Sequence, residues 1–290
     1  MNSAAPQKPG RTWTVGRFYR LLAVPPLLIV AVFFVWPLAM VILRSFTDPA
    51  LGLQNYARVF GGGPYMQVIW ITIQTAAIVT LLCLVTAYPV AYVMSKAEGR
   101  RLHLMAAMVI IPLWTSVVIR SYAWMVVFQR RGVLNEALVA SGIADKPIHF
   151  IPGSLAVNVG MVHIMLPFMV LPLVANMRSI DRSLLTAANV LGASPFTAFR
   201  KIFLPLSLPG VLAGSTLVFM MSLGFFITPA LLGGPRHMMA AVLIEQQANR
   251  LLDWGLASAL ATVLLAITLV IYAVHVRLSQ RVQGAALGIR

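Results

Sequence analysis

Acidic side chains are scarce in this 290-residue chain. Asp and Glu together number 7, against 22 Lys and Arg, and charged residues of both signs make up 10% of the sequence. An ordinary soluble domain carries about 25%. There is one cysteine, Cys83, so no internal disulfide can form and a disulfide-stapled secreted scaffold is excluded. Cys83 stands in an apolar run and is expected to be a buried, inert thiol. No Gly-Lys dipeptide occurs, which removes the glycine-rich phosphate loop with its terminal lysine that an ATP site needs. A His-Glu-x-x-His zinc helix and a Gly-x-Ser-x-Gly nucleophile elbow are also missing. Catalysis, a metal site and a cofactor within this chain are therefore not expected. What the chain has in excess is hydrophobic: 60% of its residues, against about 45–50% for an average soluble domain. A soluble core of this length could not bury so much apolar surface and still cover itself with polar side chains. The composition excludes a soluble enzyme and a disordered chain alike.

The net charge of +15 is of the kind that marks nucleic-acid binders. Here the basic residues fall between long apolar stretches, where they act as topology signals, and no nucleic-acid partner is expected. Six stretches of 18 to 37 residues contain no Asp, Glu, Lys or Arg. A helix needs about 20 mostly apolar residues to cross a hydrocarbon core about 30 Å thick. The six read as transmembrane helices near 21–43, 68–94, 104–127, 155–176, 206–232 and 256–276, giving one all-α membrane domain over 21–276. A seventh charge-free run, 183–199, is too polar and too interrupted to span. Fourteen of the 22 Lys and Arg lie in the 1–20 segment, the second-to-third and fourth-to-fifth loops and the 277–290 tail. The positive-inside rule makes these parts cytoplasmic, so both termini are expected inside. The first apolar run is too long for a signal-peptide core and is read as a retained helix. Residues 1–10 are expected to be disordered.

The most informative stretch is the loop over 181–205. Asp181 can cap a helix whose apolar positions Leu184, Ala188 and Leu191 follow a helical period. Gly192 suits the left-handed residue that ends such a helix. Ser194 then serves as N-cap, with Pro195 at the first position of a second helix. That helix is expected to gather Phe196, Phe199 and Phe203 on one side, to expose Arg200 and Lys201, and to stop at Pro205 before the fifth span. The product is a helix, a tight turn and a second helix at the membrane surface. Physics alone leaves two uses open: an interfacial helix pair resting on lipid, or a docking element.

This stretch closely resembles the cytoplasmic signature of binding-protein-dependent ABC import permeases, written E-A-A, three residues, G, nine residues, I-x-L-P. The chain has Thr186-Ala187-Ala188, then Gly192, then Ile202-Phe203-Leu204-Pro205 at that spacing. The resemblance implies a coupling helix pair that fits a groove on an ATPase subunit, formed by Thr186, Ala187, Ala188, Leu191, Gly192, Ala193, Ser194, Pro195, Phe196, Phe199, Arg200, Ile202 and Pro205. Thr186 departs from the pattern by standing where the family usually has Glu. Further stretches resemble the spermidine/putrescine-type subgroup: Leu53-Gln54-Asn55-Tyr56, Pro112-Leu113-Trp114-Thr115-Ser116, Arg120-Ser121-Tyr122-Ala123-Trp124, Gly132-Val133-Leu134-Asn135, and Thr228 to Gly234. The resemblance implies a multi-pass permease of a bacterial inner membrane. Its partners would be a cytoplasmic ATPase dimer holding ATP and Mg, a second and different permease, and a periplasmic solute-binding protein.

Candidate pathway residues each carry a plainer alternative. Arg120 can snorkel as an anchor or face the pathway. Trp114, Tyr122 and Trp124 can sit in an interfacial belt or hold a cation against their rings. Ser116, Thr228 and Glu245 complete the candidate set, Glu245 because no acid lies within the six runs. His163, mid-span, is expected to bond another helix. A secondary transporter would be expected to carry buried ionisable groups for coupling, and the runs lack acids. A polyamine is the substrate that the subgroup implies; the missing acids leave an amino-acid-like or anionic solute open.

Overall fold

The computed structural model describes residues 13–286, with side chains from 22 to 280. The segment 1–10 and the end of the 277–290 tail lie outside the described residues. Every regular element among the described residues is helical. Five helices are long and apolar enough to cross a membrane: Leu22–Thr47, Pro64–Lys96, Ser154–Ser179, Pro195–Leu223 and Trp254–Gln280 within Trp254–Ala286. A bent pair, Gly99–Trp114 with Val117–Ala140, makes a sixth span if the two arms are counted together.

The centre of the bundle is the packing of the Pro64–Lys96 helix on Ser154–Ser179 and Pro195–Leu223. Val79, Cys83, Ala87 and Ala91 recur at four-residue spacing and are fully buried. Such a stripe of small residues lets the facing backbone approach closely, which is how helices gain contact in a bilayer that offers no hydrophobic drive. Opposite it lie Met161, Ile164, Met165, Met169 and Leu173, also buried. Unbranched methionines fill the irregular gaps left beside alanines. Cys83 is buried within this core, as its apolar run implied. The Leu22–Thr47 helix stands at the edge, packed on the last helix and otherwise apolar and exposed.

Proline does not end the helices where the sequence suggested. The helix expected to stop at Pro205 runs unbroken from Pro195 to Leu223. A π-turn at Phe199–Phe203 precedes the proline, and the Leu204 N–H bonds back five residues to Phe199 O. One extra residue in the turn widens the coil, so the proline ring meets no clash and its missing N–H breaks no ladder. The first helix repeats the device: a π-turn at Ala31–Val35 precedes Pro37, with Trp36 N–H bonded to Ala31 O.

Two expected spans are broken instead. The 104–127 stretch is two arms meeting at 94°. Pro112 sits in a 3-10 turn, Ile111–Trp114, after which Thr115 and Ser116 are extended. The 206–232 stretch ends as a helix at Leu223; Gly224 to Phe226 interrupt it, and Ile227–Leu232 is a separate short helix.

Candidate functional site

The functional candidates fall at the two ends of the bundle. At one end Asp181 opens the Ser183–Val190 helix by accepting the Ser183 N–H at 2.8 Å. That bond and the Ser183 hydroxyl hold the exposed carboxyl below its ordinary range. The helix closes with a six-to-one bond, Ala193 N–H to Ala188 O, and a Gly192 N–H to Asn189 O bond, both 3.0 Å. This is the Schellman arrangement, and Gly192 takes the left-handed position at φ +85°. Ser194 then caps the next helix, its hydroxyl accepting from Thr197 N–H at 3.2 Å. Pro195 follows at the first helical position.

The three phenylalanines expected on one side do not stay together. Phe203 is buried, and Phe199 and Phe203 stack at 5.7 Å and meet Tyr92 edge-on at 5.5 and 5.0 Å. Phe196 points away and is 70% exposed. Leu191 at 87% and Val190 lie beside it in sequence and are likewise exposed, as is Leu184; of the expected apolar face only Ala188 is buried. The reason is geometric: a two-turn helix held by its ends stands off the bundle and covers only its innermost side chain. Arg200 and Lys201 are exposed, Ile202 is half-buried and Pro205 exposed, as are Thr186 and Ala187. The Thr186 hydroxyl bonds back to Arg182 O at 3.3 Å.

Sequence reading passed over what fastens this segment. The Arg182 guanidinium donates to Ser95 O at 2.6 Å, and Arg178 to Ala97 O at 3.1 Å. Both acceptors belong to the C-terminal end of the Pro64–Lys96 helix, where the last carbonyls have no partner within the helix. Two cations there also oppose the negative pole of its dipole. The second tie is aromatic: Tyr92 carries Phe199 and Phe203, and Tyr88 Oη shares a 2.9 Å hydrogen bond with Ser207 Oγ. A basic pair before a helix start was visible in the sequence as charge alone; its acceptors, more than 80 residues earlier, were not.

At the opposite end the two broken spans meet. Ser121 Oγ and Thr228 Oγ1 are 2.8 Å apart, both residues fully buried. Trp124 Nε1 donates to His163 Nδ1 at 3.2 Å, so His163 bonds another helix as expected. Trp124 also stacks on Phe128 at 5.3 Å, which covers one of its faces. Arg120, expected at a surface, is 7% exposed. Trp114 at 88%, Ser116 and Tyr122 are exposed and do not join this cluster. Glu245 lines a separate cavity of about 280 Å³ with Phe226, Pro229, Gln246 and Arg250. Its carboxylate is 4.0 Å from Arg250 Nε. The structure thus joins Ser121, Trp124, His163 and Thr228, and leaves Glu245 in its own cavity.

Gly160 seats the Ile227–Leu232 helix. A β-carbon at Gly160 would lie 2.8 Å from Thr228 Cγ2 and 3.0 Å from Leu232 Cδ1. Gly160→Ala is therefore expected to cost about 1–3 kcal/mol through overpacking. A lower midpoint of thermal unfolding in detergent would register it; an unchanged midpoint would mean that the short helix shifts freely.

Two motif asparagines prove structural. Asn55 donates to Ser45 O and Asp48 O at 3.1 and 2.7 Å, tying the end of the first helix to the next. Asn135 donates to Gln129 O and Ile148 O, and accepts from Ile148 N–H at 2.8 Å, closing the loop between them. Both are buried, and the Leu-Gln-Asn-Tyr and Gly-Val-Leu-Asn segments gain a physical explanation.

The family described as "Binding-protein-dependent transport system inner membrane component" matches residues 4–284. The spermidine/putrescine transport system permease protein PotB of Haemophilus influenzae is 35% identical over 223 residues, 76% of this chain and 78% of that one. PotB of Escherichia coli is 35% identical over 231 residues, 79% and 84% of the two chains. The molybdenum transport system permease protein ModB of Mycobacterium bovis is 31% identical over 198 residues, 68% and 73%. Among solved structures, a chain of a bacterial alginate ABC transporter in complex with an alginate-bound periplasmic protein superposes with TM-score 0.75. It is 19% identical and is matched over 94% of this chain and 98% of that one.

Proposed function

The chain belongs to the binding-protein-dependent family of inner-membrane transport components and is an ABC importer permease, and we propose that its solute is a polyamine of the spermidine/putrescine class. The observation that carries the solute class is 35% identity to PotB over more than three quarters of both chains. The chain is a multi-pass inner-membrane protein. Two permeases enclose the pathway in this reading, the second a different chain. A periplasmic binding protein delivers the solute at the Thr228 and Glu245 end. The 181–205 end faces the cytoplasm and engages an ATPase dimer, which holds ATP and Mg.

The mechanism follows from which parts are stiff and which protrude. Val190, Leu191 and Phe196 project as an apolar ridge that a groove on the ATPase would cover. The short helices behind it have no freedom to tilt alone, because Arg178 and Arg182 fasten them to Pro64–Lys96 and the Pro195 helix continues into a span. Closure of the ATPase on ATP would then move two spans together and exchange access between the two sides. Glu245 supplies an acidic side chain for an ammonium group in its cavity. The exposed faces of Trp114 and Tyr122 are further places for a cation. Thr186 leaves the ATPase without the carboxylate that the family pattern supplies, so the ridge contacts weigh more here.

The test is ATP hydrolysis by the lipid-reconstituted complex with its binding protein. Spermidine or putrescine is expected to stimulate hydrolysis. Stimulation by an anionic or amino-acid-like compound alone would overturn the polyamine reading and keep the permease.

A further inference from the structure

The cavity of about 280 Å³ that Glu245 lines already holds a cation belonging to the chain, because Arg250 lines it too. Arg250 Nε stands 4.0 Å from the Glu245 carboxylate, beyond hydrogen-bond reach, so charge alone holds the pair. Asp253 shows the contrast. Its carboxylate takes Arg58 at 2.8 Å and the Leu256 N–H at 3.1 Å, a fixed structural tie. The Arg250 side chain is 72% exposed. Exposed pairs of this kind shift an equilibrium by about fivefold at most. The backbone that carries Arg250 is also under strain. Arg250 ends the π-turn Gln246–Arg250, and Leu252 just beyond it stands at φ +56°. That conformation is unfavourable for a bulky residue, and such strain gathers at ligand clamps and switches. Leu251 and Leu252 are 67% and 68% exposed, so little packing holds the turn down.

We propose that Arg250 is a tethered stand-in for the solute: its guanidinium attends Glu245 before the solute arrives, and an ammonium group of the polyamine displaces it. The inference rests on the polyamine reading above and on Glu245 as its carboxylate. Guanidinium and ammonium are both donors without an acceptor, so they compete for one carboxylate. The ammonium is compact and carries three donors, so it can come within hydrogen-bond distance, which Arg250 Nε does not. Phe226 lines the same cavity and is 38% exposed, leaving ring area for the methylene stem or a second cation. The tether supplies the function. A displaced Arg250 stays beside the carboxylate at a high effective concentration and returns as the solute moves on. The carboxylate is not left uncompensated, and the solute is held loosely enough to be passed on.

Occupancy of the cavity is measurable directly. In a Cys83→Ala background, Ala230→Cys places the chain's one thiol in the cavity wall. Its labelling by a neutral methanethiosulfonate is followed on the lipid-reconstituted complex, at constant ionic strength, as spermidine is added. Arg250→Met is expected to lower the half-protecting spermidine concentration by about two- to fivefold. Arg250→Lys, which keeps the cation, is expected to stay near the parent value. Beside Glu245→Gln, Arg250→Met is expected to change nothing, because the stand-in has lost its seat. Equal half-protection for Arg250→Met and its parent overturns the proposal. A gain that persists beside Glu245→Gln also overturns it, since Arg250 would then repel the solute directly. Stimulated hydrolysis without protection in the parent means that the solute bypasses this cavity, and the stand-in alone falls. If spermidine neither protects the parent nor stimulates hydrolysis, the polyamine reading itself fails and takes the stand-in with it.

Discussion

Replacing Gly192 with Val is expected to abolish solute uptake while the chain still inserts and ATP hydrolysis continues at its basal rate. Gly192 holds φ +85°, and nothing lies within 4 Å of where a β-carbon would stand. The substitution therefore meets no steric obstacle, and its whole effect is on the backbone. A left-handed conformation costs an ordinary L residue about 1–2 kcal/mol and a β-branched one more. The turn joins the Ser183–Val190 helix to the helix that becomes a span, so a relaxed turn would re-aim Leu191 and Phe196, on either side of it, and lose their seat on the ATPase. Gly192→Asn, which tolerates the left-handed region, is expected to keep a large part of the uptake. Uptake into proteoliposomes beside basal and solute-stimulated ATP hydrolysis is the measurement. Wild-type uptake by the Val variant would show that this turn does not transmit the movement.

The second large effect is expected from Arg178→Ala combined with Arg182→Ala. These side chains donate to Ala97 O and Ser95 O, and among the described residues no other charged side chain ties the start of the Ser183–Val190 helix to Pro64–Lys96. Hydrogen bonds from charged groups contribute about 1.5–3 kcal/mol when sheltered. Arg178 and Arg182 are both exposed, so about 1 kcal/mol is the better expectation for each. Loss of both is expected to lower solute-stimulated hydrolysis by about tenfold, in line with the energy removed. Protein in the membrane and basal hydrolysis should change little. The Lys pair is an informative control. Lys keeps the charge at the helix C-terminus but ends in a compact ammonium rather than a planar guanidinium, so partial recovery is expected. Unaltered stimulation in the double Ala variant would leave the aromatic tie of Tyr92 with Phe199 and Phe203 as the connection that matters.

Much of the 181–205 segment was legible residue by residue. Asp181, Gly192, Ser194 and Pro195 each act on backbone groups within five positions, so their roles follow from local chemistry. The phenylalanines were not legible in the same way. Helical spacing puts Phe196, Phe199 and Phe203 near one another on a wheel, but which of them is covered depends on where Tyr88 and Tyr92 stand. Pro205 misled for a related reason: a proline stops a regular helix, and the π-turn that lets this one continue has no strong sequence signature. The aromatic candidates at the other end divided in the same manner. Trp124 found His163 and Phe128, while Trp114 and Tyr122 stayed outside.

The sequence by itself determined the solvent and the class of the protein. Charge-free runs of membrane length leave only helices as structures that satisfy their own backbone in lipid. The spacing of Thr186-Ala187-Ala188, Gly192 and Ile202 to Pro205 placed the chain in its family before any coordinates. Tertiary structure alone decided that two of the spans break and meet through Ser121 and Thr228, and that Arg178 and Arg182 clasp a helix end more than 80 residues away. It also decided that Arg120 is buried without a counter-ion. The division has one physical cause. Hydrophobicity, capping and turn preference are properties of neighbouring residues, whereas burial and pairing of a polar group depend on which distant backbone arrives beside it.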